Sequence, residues 1–69
     1  MTPARQWWNN ITEPERTRWR EHVIQRVFAP PQLERLSDAN PWPEWAEATA
    51  VSVAWHDHVN RRGWKGAHQ

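Results

Sequence analysis

The sequence predicts an all-α protein, a small three- to four-helix domain with a long C-terminal helix. Residues that cap helices precede several apolar stretches, and within those stretches the apolar residues recur at helical spacing. No stretch alternates between apolar and polar residues as a half-buried strand would. A chain of 69 residues has room for one core, so we expect a single domain over residues 1–69.

Prolines and threonines predict where the helices begin. Thr2 followed by Pro3 is typical of an N-cap and a first helical residue. Thr12 is a second N-cap, and Glu15 three residues later completes a capping box. Pro30 interrupts the second helix, because a proline disfavours the helical conformation in the residue before it. The predicted helices span about 3–10, 13–28, 31–37 and 41–62, and are followed by a tail at 63–69.

The last predicted helix is the longest and is apolar on nearly all sides. Asn40 is its expected N-cap, and Gly63 is expected to end it, because glycine readily adopts the left-handed conformation found after helix ends. One apolar face can pack within the chain, and the second face needs another partner. We therefore predict a homodimer formed through the second face, at Val51, Trp55 and Val59.

Tryptophan is the most unusual feature of the composition. The chain has seven tryptophans and no cysteine, which excludes disulfides and cysteine-based zinc sites. A buried aromatic side chain removes about 150–250 Å² from water, so a few of them can build a core in a short chain. We expect most of the tryptophans to form the core and one or two to lie on a surface that a partner covers.

The charge and hydropathy patterns exclude several classes of protein. Nine Lys and Arg residues against eight Asp and Glu leave a formal charge of +1, which is not the strong positive field of a dedicated nucleic-acid binder. No stretch approaches the length of a membrane span, and the N-terminus has no apolar signal region. We expect a cytoplasmic protein that does not bind a membrane.

The residues that could support catalysis or bind a metal do not form a known motif. His56 and His58 are two positions apart, so on a helix they point in nearly opposite directions and cannot share an ion. Ser37 and Ser52 lack the flanking glycines of a nucleophile motif, and no glycine-rich loop could bind phosphate. We predict a protein that is not an enzyme, with no metal and no cofactor.

The arginines of the second helix fall into two groups. Arg16 and Arg20 lie one turn apart beside Trp19, and we expect them either to extend past the edge of the core or to stack on tryptophans. Arg18 and Arg26 point outward, so they are candidate partner-binding residues. Acidic neighbours interrupt this basic surface.

The C-terminal segment is the other candidate binding region. Arg61, Arg62 and Lys65 supply three positive charges around Trp64, and tryptophan and arginine are common at binding hot spots. The segment can instead be a frayed end with Trp64 folded back onto the helix. We predict that these four residues bind a partner.

The stretch from Trp7 to Trp19 resembles a recurring opening of small phage and prophage proteins. In these proteins a W-W-x-x-L-T/S segment precedes an acidic or proline-containing turn, an arginine, and a tryptophan three residues later. The match covers about a fifth of the chain, and Ala54-Trp55 is similar to a second element of such proteins. The resemblance implies a phage-encoded accessory protein in a bacterial cytoplasm, but it implies no activity for particular residues.

Two function classes remain open. The first is a protein-binding module that modulates or inhibits a host bacterial protein, such as a defence complex, and the near-neutral charge and surplus tryptophans favour it. The second is a helical regulator that binds nucleic acid. Its binding would fall steeply with salt, and it requires five basic residues on one surface: Arg18, Arg26, Arg61, Arg62 and Lys65.

Overall fold

The computed structural model of the chain describes residues 2–36 and 41–68, and it describes side chains as far as Arg61. Within these ranges the fold is all-α, with four helices, no strand and a long C-terminal helix. The fold class predicted from the sequence is confirmed. The helices are α1 (Pro3–Asn10), α2 (Glu13–Arg26), α3 (Pro30–Leu36) and α4 (Glu44–His68).

The first two helices begin at the predicted residues, but their caps differ. The Thr2 hydroxyl accepts a hydrogen bond from the Arg5 backbone N–H at 3.2 Å, as expected of an N-cap. Thr12 is also an N-cap by its extended backbone, and its carbonyl accepts from the Arg16 N–H. Its side chain makes no capping hydrogen bond, so the predicted capping box with Glu15 is wrong.

The junction between α2 and α3 lies earlier than the sequence predicted. Helix α2 ends at Arg26, and the Phe28 N–H bonds back to the Val23 carbonyl at 2.8 Å. Ala29 then opens α3: its carbonyl accepts the first helical bonds, and its N–H donates to the Gln32 side chain at 2.8 Å. The two prolines occupy the first two positions of α3, where a missing N–H costs nothing, so they start a helix as well as ending one.

Helix α4 begins later and extends further than predicted. Its first bonds run from the Ala46 and Glu47 N–H groups to the Pro43 carbonyl, each at 3.1 Å. The predicted cap, Asn40, lies outside the described residues. The helix passes through Gly63 to His68, so the prediction of an end at Gly63 followed by a tail is wrong. A glycine inside a helix costs only about 1 kcal/mol, and no proline follows to stop the helix.

Small residues on α4 make the core compact. Helix α4 packs against both α1 and α2, and an alanine stripe at one-turn spacing on its inner face is fully buried. Trp8 of α1 and Val23 of α2 belong to the same buried cluster as these short side chains. The buried residues of the cluster are Trp8, Val23, Phe28, Leu36, Ala46, Ala50, Val51 and Ala54.

Most of the tryptophans lie at the edge of the core. Of the six whose side chains the structure describes, only Trp8 is buried, and it is 2% exposed. Trp45 is 37% exposed and packs edge-on against Phe28, and the remaining four are half-buried. Trp7, Trp19 and Trp42 pack against the buried cluster, so the tryptophans contribute to the core mainly at its partly buried edge and not, as the sequence had predicted, at its centre.

Candidate functional site

An open groove lies where α1, α2 and α4 meet. Its volume is about 440 Å³, within the usual range for ligand sites of about 300–1,000 Å³. Helix α1 contributes Trp7, and the remaining lining residues come from α2 and α4, including the buried Ala54. The groove thus combines side chains that are far apart in sequence.

Two tryptophan–histidine pairs line this groove. The Trp7 indole stacks on the His58 ring, with ring centroids 4.7 Å apart and an interplanar angle of 26°. Trp19 meets His22 edge-on at 5.3 Å. Trp55 contacts both Trp7 and His58, so the first pair belongs to a cluster of three aromatic rings. Half-buried aromatic rings of this kind offer a flat apolar surface to a bound group.

Four charged residues share the same groove. Asp57 and Arg61, one turn apart on α4, form an ion pair at 3.2 Å. Glu15 and Arg18 line the groove from α2. Among the residues that the structure describes, neither of these two forms an ion pair or a side-chain hydrogen bond. The groove has two positive and two negative side chains, but only Asp57 and Arg61 neutralise each other through an ion pair.

Arg16 fixes the end of α1 against α2. One of its guanidinium nitrogens donates to the Trp8 carbonyl at 2.9 Å and to the Ile11 carbonyl at 2.7 Å. Both carbonyls lie at the C-terminal end of α1, where no further helical turn supplies an N–H donor. Arg16 supplies that donor and so satisfies the end of the helix. Glu13 pairs with the same guanidinium at 3.0 Å. This contact fixes the backbone beside Trp7, and so it helps to place one wall of the groove.

Arg20 joins α2 to α4 and to the core. Its guanidinium makes two parallel hydrogen bonds to the Glu47 carboxylate, at 3.0 and 2.9 Å, and a third to Glu13 at 2.7 Å. It also lies over the Trp8 ring, 5.7 Å from the centroid. Two-point pairing of this type is geometrically specific, so it sets the register of α2 against α4.

The same network shifts two pKa values. The hydrogen bonds with Glu47 hold the pKa of Arg20 above its ordinary value, although burial opposes this shift. Hydrogen bonds from Arg20 and then Arg16 hold the pKa of Glu13 below its ordinary value of 4.5. A carboxyl whose pKa is lower in the folded state stabilises the fold above its unfolded pKa. The contribution of Glu13 is therefore lost as the pH falls through its folded pKa.

Replacing Arg16 with alanine is expected to lower the free energy of unfolding by about 1–2 kcal/mol, because two carbonyls at the α1 end lose their donor. Arg18→Ala is the matched control, since Arg18 is exposed on the same helix and forms no such bonds, and its effect should stay within about 0.5 kcal/mol. Urea denaturation of the two variants measures both. Equal and small effects would mean that Arg16 does not stabilise the junction.

The structure brings together two of the predicted partner-binding residues. Arg18 and Arg61 come from different helices and line the same groove. Arg26 is exposed near the end of α2 and does not line it. The side chains of the other three predicted residues, Arg62, Trp64 and Lys65, lie outside those the structure describes. Binding by the six residues stays a prediction from the sequence, and the groove supports it at Arg18 and Arg61 but not at Arg26.

The face predicted for self-association is largely covered by the chain itself. Val51 is 5% exposed and belongs to the core. Trp55 is half-buried against Trp7 of α1, and Val59 is 42% exposed. The premise that this face has no partner within the chain is wrong for the first two residues, because Val51 is buried in the core and Trp55 contacts Trp7 of α1. The homodimer itself stays a prediction.

Sequence reasoning missed most of the groove. It did not select five of the lining residues, because the spacing within one helix does not show how three helices pack: Trp7, Glu15, Trp19, His22 and His58. The spacing of the opening tryptophans was the available signal. Among the described residues, no three His, Asp or Glu side chains converge as metal ligands would. In the same part of the chain, no helix is long and apolar enough to cross a membrane.

The comparisons with known proteins add no family. The chain matches no protein-family model, no curated protein and no solved structure. The resemblance to the opening of small phage proteins therefore stays an expectation drawn from residues 7–19. The geometry of the groove is the remaining guide to function.

Proposed function

We propose that this chain is a protein-binding module and that the groove between α1, α2 and α4 is its docking site. The observation that carries the proposal is the presence of Trp7, Trp19, Arg18 and Arg61 in one groove. Tryptophan and arginine are the residue types most enriched at binding hot spots. Half-buried indoles offer large apolar areas at low entropic cost, and the arginines add directional contacts.

Binding is favoured over catalysis by the nature of the lining. The lining contains two histidines, but each packs against a tryptophan, and among the described residues neither pairs with a carboxylate that could orient it as a general base. Following the resemblance of residues 7–19, we propose that the partner is a host protein in a bacterial cytoplasm. We further propose that binding modulates or inhibits this protein.

A nucleic-acid regulator is the less favoured alternative. Glu15 and Asp57 line the same groove as Arg18 and Arg61, so a polyanion would meet as many negative as positive charges. Arg26 lies outside the groove, so the positive residues that such a regulator needs are not gathered there.

Charge reversal at two arginines of α2 tests the proposal. The full chain, immobilised, is exposed to a bacterial lysate, and captured proteins are quantified by mass spectrometry. Arg18→Glu is expected to reduce the captured partner about tenfold, because it removes a hot-spot-type cation and leaves a negative charge beside Glu15. Arg26→Glu is the matched control: it has the same charge change on the same helix, and it should leave capture unchanged.

Three outcomes would contradict the proposal. One is no protein above a tag-only control, and a second is equal capture by both variants and the unaltered chain. The third is equal loss in both variants, with captured nucleic acid released steeply by salt, which would favour the regulator. Circular dichroism of each variant establishes that the comparison is made between folded proteins.

A further inference from the structure

The groove holds two opposite charges that nothing else in the described chain satisfies. Asp57 is paired with Arg61, whereas Arg18 and Glu15 each lack an ion pair among the described residues. They lie three positions apart on α2 and line the groove together with Trp7 of α1 and Trp19 of α2. A ligand that offers one negative group and one hydrogen-bond donor close together, beside an apolar group, would complement both residues and the indoles.

Resting on the proposed function, we propose that the groove binds a peptide segment with one carboxylate next to an aromatic or large apolar side chain. The ligand carboxylate pairs with the Arg18 guanidinium. A backbone N–H of the segment donates to the Glu15 carboxylate, and the apolar side chain packs on the indoles of Trp7 and Trp19. Guanidinium and carboxylate geometries match each other, and an amide N–H is a natural donor to a carboxylate.

The same charges discriminate against a nucleic acid. A single strand could stack bases on Trp7 and Trp19, but each nucleotide adds a phosphate. Arg18 can neutralise one of these phosphates, and the Glu15 carboxylate repels the next. A peptide with a single carboxylate places one negative charge in the groove and leaves Glu15 free to accept an N–H. Peptide is therefore the ligand class that both residues favour.

Two small probes that differ in one charge test this proposal. N-acetyl-L-phenylalanine offers an aromatic ring, an amide N–H and a carboxylate, whereas N-acetyl-L-phenylalaninamide offers the same ring and N–H without the charge. Each is titrated into the full ¹⁵N-labelled chain while the indole N–H signals are followed by NMR. Both probes should shift the signals of Trp7 and Trp19, and the carboxylate probe should bind about fivefold more tightly, as expected for one partly exposed ion pair.

Variants of two arginines test whether Arg18 causes the difference in affinity between the two probes. Arg18→Gln should abolish the preference for the carboxylate probe, and Arg26→Gln should leave it unchanged. The proposal is overturned by equal affinity for the two probes in the unaltered chain or by shifts confined to other indoles. It is also overturned by no shift of either indole at tens of millimolar probe, or by a single-stranded oligothymidine that binds the same indoles more tightly than the peptide probes.

The results of the probe titration and of the lysate capture distinguish a wrong ligand chemistry from a wrong proposed function. If Arg18→Glu abolishes capture but the two probes bind alike, the groove docks a protein of different chemistry. If the carboxylate probe is preferred but capture does not depend on Arg18, the ligand chemistry stands and the proposed function is wrong.

Discussion

Replacing Trp8 with alanine is expected to unfold most of the chain at room temperature. Trp8 is 2% exposed and is the only buried indole among the described tryptophans. Truncating a buried tryptophan costs about 3–5 kcal/mol. A single core in a chain of this size supplies about 3–5 kcal/mol in total, so the loss is comparable to the whole stability. Circular dichroism at 222 nm, a standard helical wavelength, and a thermal melt measure the effect.

Trp45→Ala is the matched control for this substitution. It removes the same side chain from a position that is 37% exposed, so we expect a loss of about 1 kcal/mol and a cooperative melt. Trp8→Phe should fall between the two, since it keeps an aromatic ring in the core. A cooperative melt for Trp8→Ala within a few degrees of the unaltered protein would contradict the described core.

Replacing Arg20 with alanine is expected to lower the free energy of unfolding by about 2–3 kcal/mol. Three hydrogen bonds to two carboxylates are lost, together with the contact over the Trp8 ring. Glu47 is only 21% exposed, so its carboxylate is left partly desolvated without its partner. Urea denaturation measures the change, with Arg26→Ala as the exposed control on the same helix.

A second substitution separates the hydrogen-bonding geometry of the Arg20 guanidinium from its charge. Arg20→Lys keeps the charge but cannot make the two parallel bonds to Glu47, so it should recover less than half of the loss. A double-mutant cycle with Glu47→Gln should give a coupling of at least about 1 kcal/mol. Additive effects of the two substitutions would mean that the pair does not join α2 to α4.

The helices could be predicted because their signals are local. Thr2 and Pro3 specify the start of α1 by satisfying and removing N–H donors, and this depends on no other helix. The prediction that α4 ends at Gly63 was wrong because it also rested on a local signal alone. The preference of this glycine for a helix end is worth only about 1 kcal/mol, which the rest of a long helix can outweigh. Helix boundaries that depend on such small free energies are the hardest to predict from the sequence.

The groove could not be predicted from helical wheels, because it depends on how three helices cross. The sequence indicated that Arg18 points outward and that Arg61 belongs to a basic C-terminal segment, but not that the two face the same groove. Nor did the sequence indicate that the alanines of α4 form the inner face of that helix. Large apolar residues dominate the apolar pattern of a helix, so small residues are easily overlooked. The burial of Val51 and the position of Trp7 in the groove depend on this packing between helices.

The docking role of the groove is tested most directly by measuring the affinity of the captured, purified partner for two tryptophan variants by calorimetry. Trp19→Ala removes a half-buried indole that lines the groove, and Trp45→Ala removes an exposed indole outside it. We expect the first to weaken binding at least about thirtyfold, as at a hot spot, and the second to change it less than about threefold. Equal effects of the two substitutions, or a larger effect of Trp45→Ala, would contradict docking at the groove.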